Sequence, residues 1–295
     1  MLIPADAFSH LPMLMGKVLD PERSTFRISR RTFDDWDRRA QAAGYGENWR
    51  RSHEEREATR SKALGGRLGR DLWIFAYGSL MWDPAIHVVE IRAAALTGFH
   101  RRFCLKVEIG RGSQARPALM AGLDVGGECH GLALRIPAPA VDRETEILWM
   151  REMIGEGYIP SFLTVATPQG SVEALAFVTD RQSARFADIG AEEAAHIIAM
   201  GSGILGTNLE YFENLATQVE ALVLLRQTYY LFFRFDRGWE QHGHRSSRAA
   251  RRTAISRRRV AIEFGTWRSV RIGGAPGSVI FGKGRHFDDS AAPRL

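Results

Sequence analysis

The stretch Trp73-Ile74-Phe75-Ala76-Tyr77-Gly78-Ser79-Leu80-Met81-Trp82 decides how the rest of the chain is read. Its apolar run, Leu72–Tyr77, has the length of one buried strand and stops on Gly-Ser. Gly78 has access to backbone angles closed to other residues and lets a ligand approach the main chain. Such a turn presents several backbone N–H groups, with the Ser79 hydroxyl beside them. They form a cup for a carboxylate or a developing oxyanion. The same pattern also serves as an ordinary strand-to-loop turn, and taken alone it leaves both readings open.

Downstream, the spacing predicts further strands at Ile86–Leu96, Phe99–Val107, Leu119–Leu123, Cys129–Ile136, Phe162–Thr167 and Val172–Thr179. Helical periodicity marks Val141–Met153, Ala191–Met200 and Thr207–Leu225. Strands outnumber helices and few strand-helix-strand units occur, so the expected class is α+β, with a curved sheet or barrel. Residues 1–70 are polar and charge-dense after a short apolar start. Within them Thr32–Arg60 reads as helices around Gly44-Tyr45-Gly46, with Trp36 and Trp49 giving weak amphipathicity. This zone is an extension that either packs on the core or stays partly mobile. Three units are expected: an extension over 1–70, a catalytic domain over 71–230, and a tail over 236–295.

The net charge of +6 is concentrated in that tail. From Asp236 to Leu295 thirteen basic residues face five acidic ones, which leaves residues 1–235 at about −2. Arginine runs at Arg251-Arg252 and Arg257-Arg258-Arg259 without clear periodicity read as a loosely ordered tail. No nucleic-acid partner is expected, although a catalytically silent core carrying a basic nucleic-acid-binding arm is the competing reading. The two cysteines, Cys104 and Cys129, are too few for a disulfide framework or zinc site and suit a reducing cytoplasm. No basic leader precedes an apolar stretch at Met1–Leu19, and no run reaches the ~20 residues of a membrane helix. A cytoplasmic protein with no membrane partner is expected.

The helix after Pro139 carries the second informative feature. Thr145, Leu148, Trp149 and Glu152 recur at helical spacing, which puts Glu152 on the core-facing stripe. A carboxylate there loses solvation and gains proton affinity, as a general base working near neutral pH requires. A structural carboxylate paired with Arg151 or another arginine fits the same position. No cysteine and no Ser-His pair at a recognisable spacing supplies a nucleophile, so a substrate that contains its own nucleophile fits best.

Four motifs together resemble the glutathione-specific γ-glutamylcyclotransferases of the ChaC family. They are Phe75–Trp82, Gly98-Phe99-His100-Arg101-Arg102-Phe103-Cys104, Leu148–Glu152 with Gly157-Tyr158, and Gly203–Tyr211. The similarity spans Leu72 to about Leu225. It implies a γ-glutamylcyclotransferase-like mixed β-barrel flanked by helices. It also implies that Phe75, Ala76, Tyr77, Gly78, Ser79 and Leu80 form the substrate-binding loop, that Glu152 is catalytic, and that Tyr211 lines the pocket. The implied reaction is cyclisation of the γ-glutamyl group of glutathione to 5-oxoproline with release of Cys-Gly, a lyase reaction needing no metal and no cofactor. Other γ-glutamyl amines or peptides are the alternative substrates. One departure is the segment Arg111–Ala118, where Gln114 and Ala118 stand in for a proline and a glycine of the family pattern.

Among the remaining residues, Arg101 and Arg102 read as substrate-carboxylate ligands or as strand-surface charges. Cys104 and Cys129 read as core, and Asn208 as a helix cap or a ligand contact.

Overall fold

Leu72–Ala76 forms β1, the short central strand of the fold. The computed structural model describes residues 3–28, 30–42, 44–46 and 49–224, and the backbone of three short strands beyond them. β1 pairs antiparallel with β3 (Ala118–Ile136) and parallel with β5 (Val172–Thr179). With β2 (Glu90–Val107) and β4 (Tyr158–Val165) it makes a mixed sheet in the order β2-β3-β1-β5-β4. Because β1 has only five residues, β3 and β5 meet beyond its end, at Leu123 and Val178. At the far edges Ala95 and Ala166 exchange two backbone hydrogen bonds of 2.9 Å. The sheet therefore curls until its edges touch, the mixed barrel of an α+β fold.

Two expected boundaries are corrected. Ile86–Leu96 and Phe99–Val107 are not separate strands. Glu90–Val107 is one, and Ala118–Ile136 likewise absorbs Leu119–Leu123 and Cys129–Ile136. Gly98 stands opposite Gly126 and Gly127 where the register shifts, between the Thr97–Glu128 and Phe99–Val125 pairs. Their φ values of 89°, 101° and 70° are left-handed, open to glycine at little cost. The glycines therefore bend the hairpin at a bulge without ending it.

The helices follow the periodicity: α1 (Arg30–Ala42), α2 (His53–Leu64), α3 (Val141–Glu152), α4 (Ala191–Met200) and α5 (Asn208–Leu224). α2 opens on a reciprocal cap, with Glu55 N–H donating to Ser52 Oγ at 3.1 Å and Ser52 N–H to Glu55 Oε2 at 2.7 Å. α3 lays Thr145, Leu148 and Trp149 on the barrel, and the Trp149 ring meets Phe177 of β5 edge-on at 5.4 Å.

The N-terminal zone packs into the same core. Phe8, Leu11, Leu14, Ile28 and Phe33 are buried in one cluster with Ile74, Met81 and Trp149. Each such side chain contributes ~1.5–3 kcal/mol on burial. Arg27 ties the zone to α3 by donating to both oxygens of Glu144, at 2.7 and 3.0 Å. The tail expectations fall largely outside the described residues. Within the tail, Arg259–Val260, Trp267–Ile272 and Val279–Lys283 pair in an antiparallel sheet with Trp267–Ile272 in the middle.

Candidate active site

Where β1 ends, the chain turns through Ser79–Met81 in a single 3₁₀ turn. Its internal hydrogen bonds begin at Met81, whose N–H donates to Gly78 O at 3.0 Å. Trp82 and Asp83 N–H follow, both to Ser79 O, at 3.2 and 2.9 Å. The N–H groups of Gly78, Ser79 and Leu80 are left without a protein acceptor among the described residues, as the start of a helical turn must be. All three residues line a pocket of about 210 Å³. Gly78 has φ −121°, so left-handed backbone is not what it supplies. It supplies space: a Cβ there would lie 3.2 Å from the Tyr211 hydroxyl.

Arg101 of β2 secures the turn from below. Its Nε donates to Tyr77 O at 2.6 Å and its Nη2 to His130 O at 2.5 Å. It is neither a surface charge nor directed at the pocket. Arg102 is occupied elsewhere, by Asp188 at 2.6 Å and Asp124 at 3.3 Å.

The end of α3 brings Arg151 and Glu152 to the same pocket. Arg151 donates from Nη2 to Ser79 Oγ at 2.8 Å and from Nη1 to Asp83 O, and its Nε lies 3.0 Å from Glu152 Oε1. One guanidinium therefore holds both the serine of the turn and the glutamate of the helix. Burial raises the Glu152 carboxyl above its ordinary 4.5, and Arg151 opposes the rise. The pairing with Arg151 and the position in the pocket thus coexist.

Glu144, two turns earlier on α3, shows the contrast. Its carboxylate is 2% exposed and takes both Arg27 donors together with the His87 N–H at 2.9 Å. It is saturated and does not line this pocket. Among the described residues Glu152 has one partner, and it has an open pocket before it, with 14% of its side chain exposed.

Three tyrosines complete the wall. Tyr77 donates to Phe177 O at 2.5 Å, Tyr158 to Ala121 O at 3.0 Å, and Tyr211 packs on Trp82 and Phe103. Burial raises all three phenols, that of Tyr211 to about 12, so each keeps its proton at neutral pH. The pocket therefore offers donors, one carboxylate of raised proton affinity, and no tyrosinate.

Of the residues proposed from sequence, Tyr77, Gly78, Ser79, Leu80, Glu152 and Tyr211 line this pocket. Phe75 and Ala76 lie in β1 with fully buried side chains and do not line it. Asn208 is not a pocket residue either. It is fully buried and binds Leu119 twice, accepting from its N–H at 2.7 Å and donating to its C=O at 2.8 Å. The Arg111–Ala118 segment keeps a tight path despite its substitutions, with Ala118 fully buried at the start of β3 and Gln114 exposed. Cys104 is buried and its thiol is pushed up to about 11, mainly by burial, so it is no thiolate at neutral pH. Among the described residues no cluster of three or more His, Cys, Asp or Glu could hold a metal, and no helix is long and apolar enough to cross a membrane.

Sequence reasoning gave no role to Tyr158, to Arg151 as a link to the turn, or to Phe26, Trp36 and Trp49 of the N-terminal zone, which also line the pocket. Tyr158 was accessible from the Gly157-Tyr158 return after α3. The aromatic residues carried no local signal of the pocket, which lies far along the chain from them.

The sequence profile of the ChaC-like proteins matches residues 72–233, more than half of the chain. The chain belongs to the ChaC family. A relative from Escherichia coli, described as a glutathione-specific gamma-glutamylcyclotransferase, is 37% identical over 57% of this chain and 74% of its own length. A Homo sapiens relative, glutathione-specific gamma-glutamylcyclotransferase 1, is 33% identical over 49% of this chain and 68% of its own. A yeast crystal structure, described as a gamma-glutamyl cyclotransferase specific to glutathione, covers 55% of this chain and 90% of its own at 20% identity, with a TM-score of 0.49. The matched region holds the barrel, Glu152 and the 78–80 turn, and it leaves out the N-terminal zone.

Proposed function

We propose that this ChaC protein cyclises the γ-glutamyl group of glutathione, releasing 5-oxoproline and Cys-Gly. The observation that carries the reading is the meeting of free Gly78–Leu80 N–H groups and the Glu152 carboxylate in one pocket. Membership of the ChaC family and the names of the relatives support it.

In this reading Glu152 takes a proton from the substrate's α-ammonium. The freed amine attacks the γ-carbonyl carbon, a C–N bond closes the five-membered lactam, and the old amide C–N bond breaks. The leaving amine receives a proton, which the now protonated Glu152 is placed to return. The N–H groups of the turn bind the α-carboxylate or the carbonyl oxygen as it gains charge, and each such donor is worth about 3 kcal/mol. Nucleophile and electrophile share one molecule, so the pocket's main task is to fold it into the reactive shape. Arg151 keeps Glu152 and Ser79 in fixed relation while this happens.

The test is 5-oxoproline release from glutathione beside γ-glutamyl-alanine and γ-glutamyl-lysine. Glutathione is expected to be the best substrate. If it is the poorest, the chain is a cyclotransferase for other γ-glutamyl compounds. If none of the three yields 5-oxoproline, the reading fails.

A further inference from the structure

Three arginines line the pocket: Arg111, Arg151 and Arg185. Arg111 is paired with Glu210 at 2.8 Å and donates to Thr207 O at 3.2 Å. Arg151 is held by Ser79, Asp83 and Glu152. Arg185 differs from both. Among the described residues its guanidinium has no carboxylate partner within ion-pair distance, and the one hydrogen bond the guanidinium donates there is a long 3.3 Å contact to Glu156 O. Its guanidinium lies flat on the bare turn after α3, where a Cβ at Gly155 would come within 2.4–2.7 Å of three of its atoms. The backbone fixes it further, since Lys106 N–H donates to Arg185 O at 2.8 Å and Phe186 bridges Leu105 of β2.

A cation held this firmly, partly out of water and with no ion pair among the described residues, has a cost that a bound anion would offset. Burial lowers its proton affinity; the charge of Glu156 opposes that drop, Arg51 adds to it, and Glu108 opposes it more weakly. Arg51 strengthens the case from its own side: its Nη1 is buried with no hydrogen-bond partner among the described residues. Two guanidinium groups thus bear on one another near one wall of the pocket, and among the described residues neither makes an ion pair with a carboxylate.

The chemistry of a γ-glutamyl peptide supplies the missing group. The turn N–H groups and Glu152 account for the glutamyl head. The rest of such a substrate is a peptide with a free terminal carboxylate, and the Arg185 guanidinium lies in the same pocket against Gly155, just after the end of α3. We propose that Arg185 is the receptor for the terminal carboxylate of the peptide that leaves, and so selects γ-glutamyl peptides over γ-glutamyl amines. This rests on the cyclotransferase reading above. Arg185 is a specificity residue in this proposal and takes no part in the proton transfers.

The experiment compares glutathione with its glycine amide, which removes only the terminal charge, using the unaltered protein and the Arg185→Gln and Arg185→Lys variants. A charge-assisted pair of this kind corresponds to about 10- to 100-fold in affinity. The unaltered protein should favour the acid by that factor, chiefly in KM. Arg185→Gln should bring the ratio near one, and Arg185→Lys should keep part of it. Product inhibition gives a second readout: Cys-Gly should inhibit Arg185→Gln about tenfold or more weakly, with inhibition by 5-oxoproline unmoved. An acid preference that survives Arg185→Gln, or equal losses on both substrates in both variants, would overturn the assignment. Absence of 5-oxoproline from both substrates with the unaltered protein would overturn the reaction itself, and the subsite with it.

Discussion

Glu144 and Glu152 lie about two turns apart on α3, yet their surroundings give them different tasks. Arg27 and the His87 N–H saturate Glu144, which leaves it nothing to exchange. Glu152 keeps one partner among the described residues, and burial raises its proton affinity. Replacing it by glutamine preserves shape and the Arg151 contact but removes the acceptor of the proton. Glu152→Gln should lower kcat by about 10²–10⁴-fold with little change in melting temperature, read by 5-oxoproline release and thermal denaturation. The raised proton affinity has a signed consequence for pH. A base works only when unprotonated, so kcat/KM should rise with pH through the acid limb. That limb should lie above the 4.5 of an ordinary glutamate, and a pH–rate profile measures it. Periodicity alone put Glu152 on the inner face. It did not separate Glu152 from Glu144, because the deciding arginine, Arg27, is 117 residues away in sequence.

At the level of elements, α5 is set by one side chain. β1 pairs with β3 only from Leu132 to Ile136, so Leu119 lies on a part of β3 that β1 does not reach. Asn208, the first residue of α5, completes that edge by binding both backbone groups of Leu119, as a neighbouring strand would. Asn208→Ala would strand a buried N–H and C=O, at about 2–4 kcal/mol. Because α5 also carries Tyr211, loss of kcat/KM should accompany the stability loss; urea denaturation with an activity assay tests both. Helix limits were legible because a 3.6-residue period belongs to the local chain. The long hairpin was not. A glycine reads as a break whether the chain turns away or bulges and continues, and only the partner strand's register distinguishes the two.

For the molecule as a whole, the N-terminal zone contributes both to the core and to the pocket wall. Phe26, Trp36 and Trp49 come from before the region that matches the family profile. The Arg27–Glu144 pair is the clearest fastening between the zone and α3, with side chains 10% and 2% exposed. Arg27→Met leaves a buried carboxylate short of its charge partner and should cost about 3–5 kcal/mol, whereas Arg27→Met with Glu144→Met should recover much of that loss. Chemical denaturation of the single and double variants measures the difference. If the single substitution costs less than the double, the pair does not fasten the zone.

The α+β class, the helices, the strand that ends in the Gly78–Leu80 turn and the inward face of Glu152 were all determined by sequence. They depend on local periodicity, on glycine, and on motif order. Tertiary structure alone decided that Arg151 joins Ser79 to Glu152, that Glu144 is saturated, that residues before Leu72 wall the pocket, and that Arg185 makes no ion pair among the described residues. Each of these depends on how segments far apart in the chain come together. Burial and ion pairing depend on which groups the closed barrel brings together, and no local pattern records that.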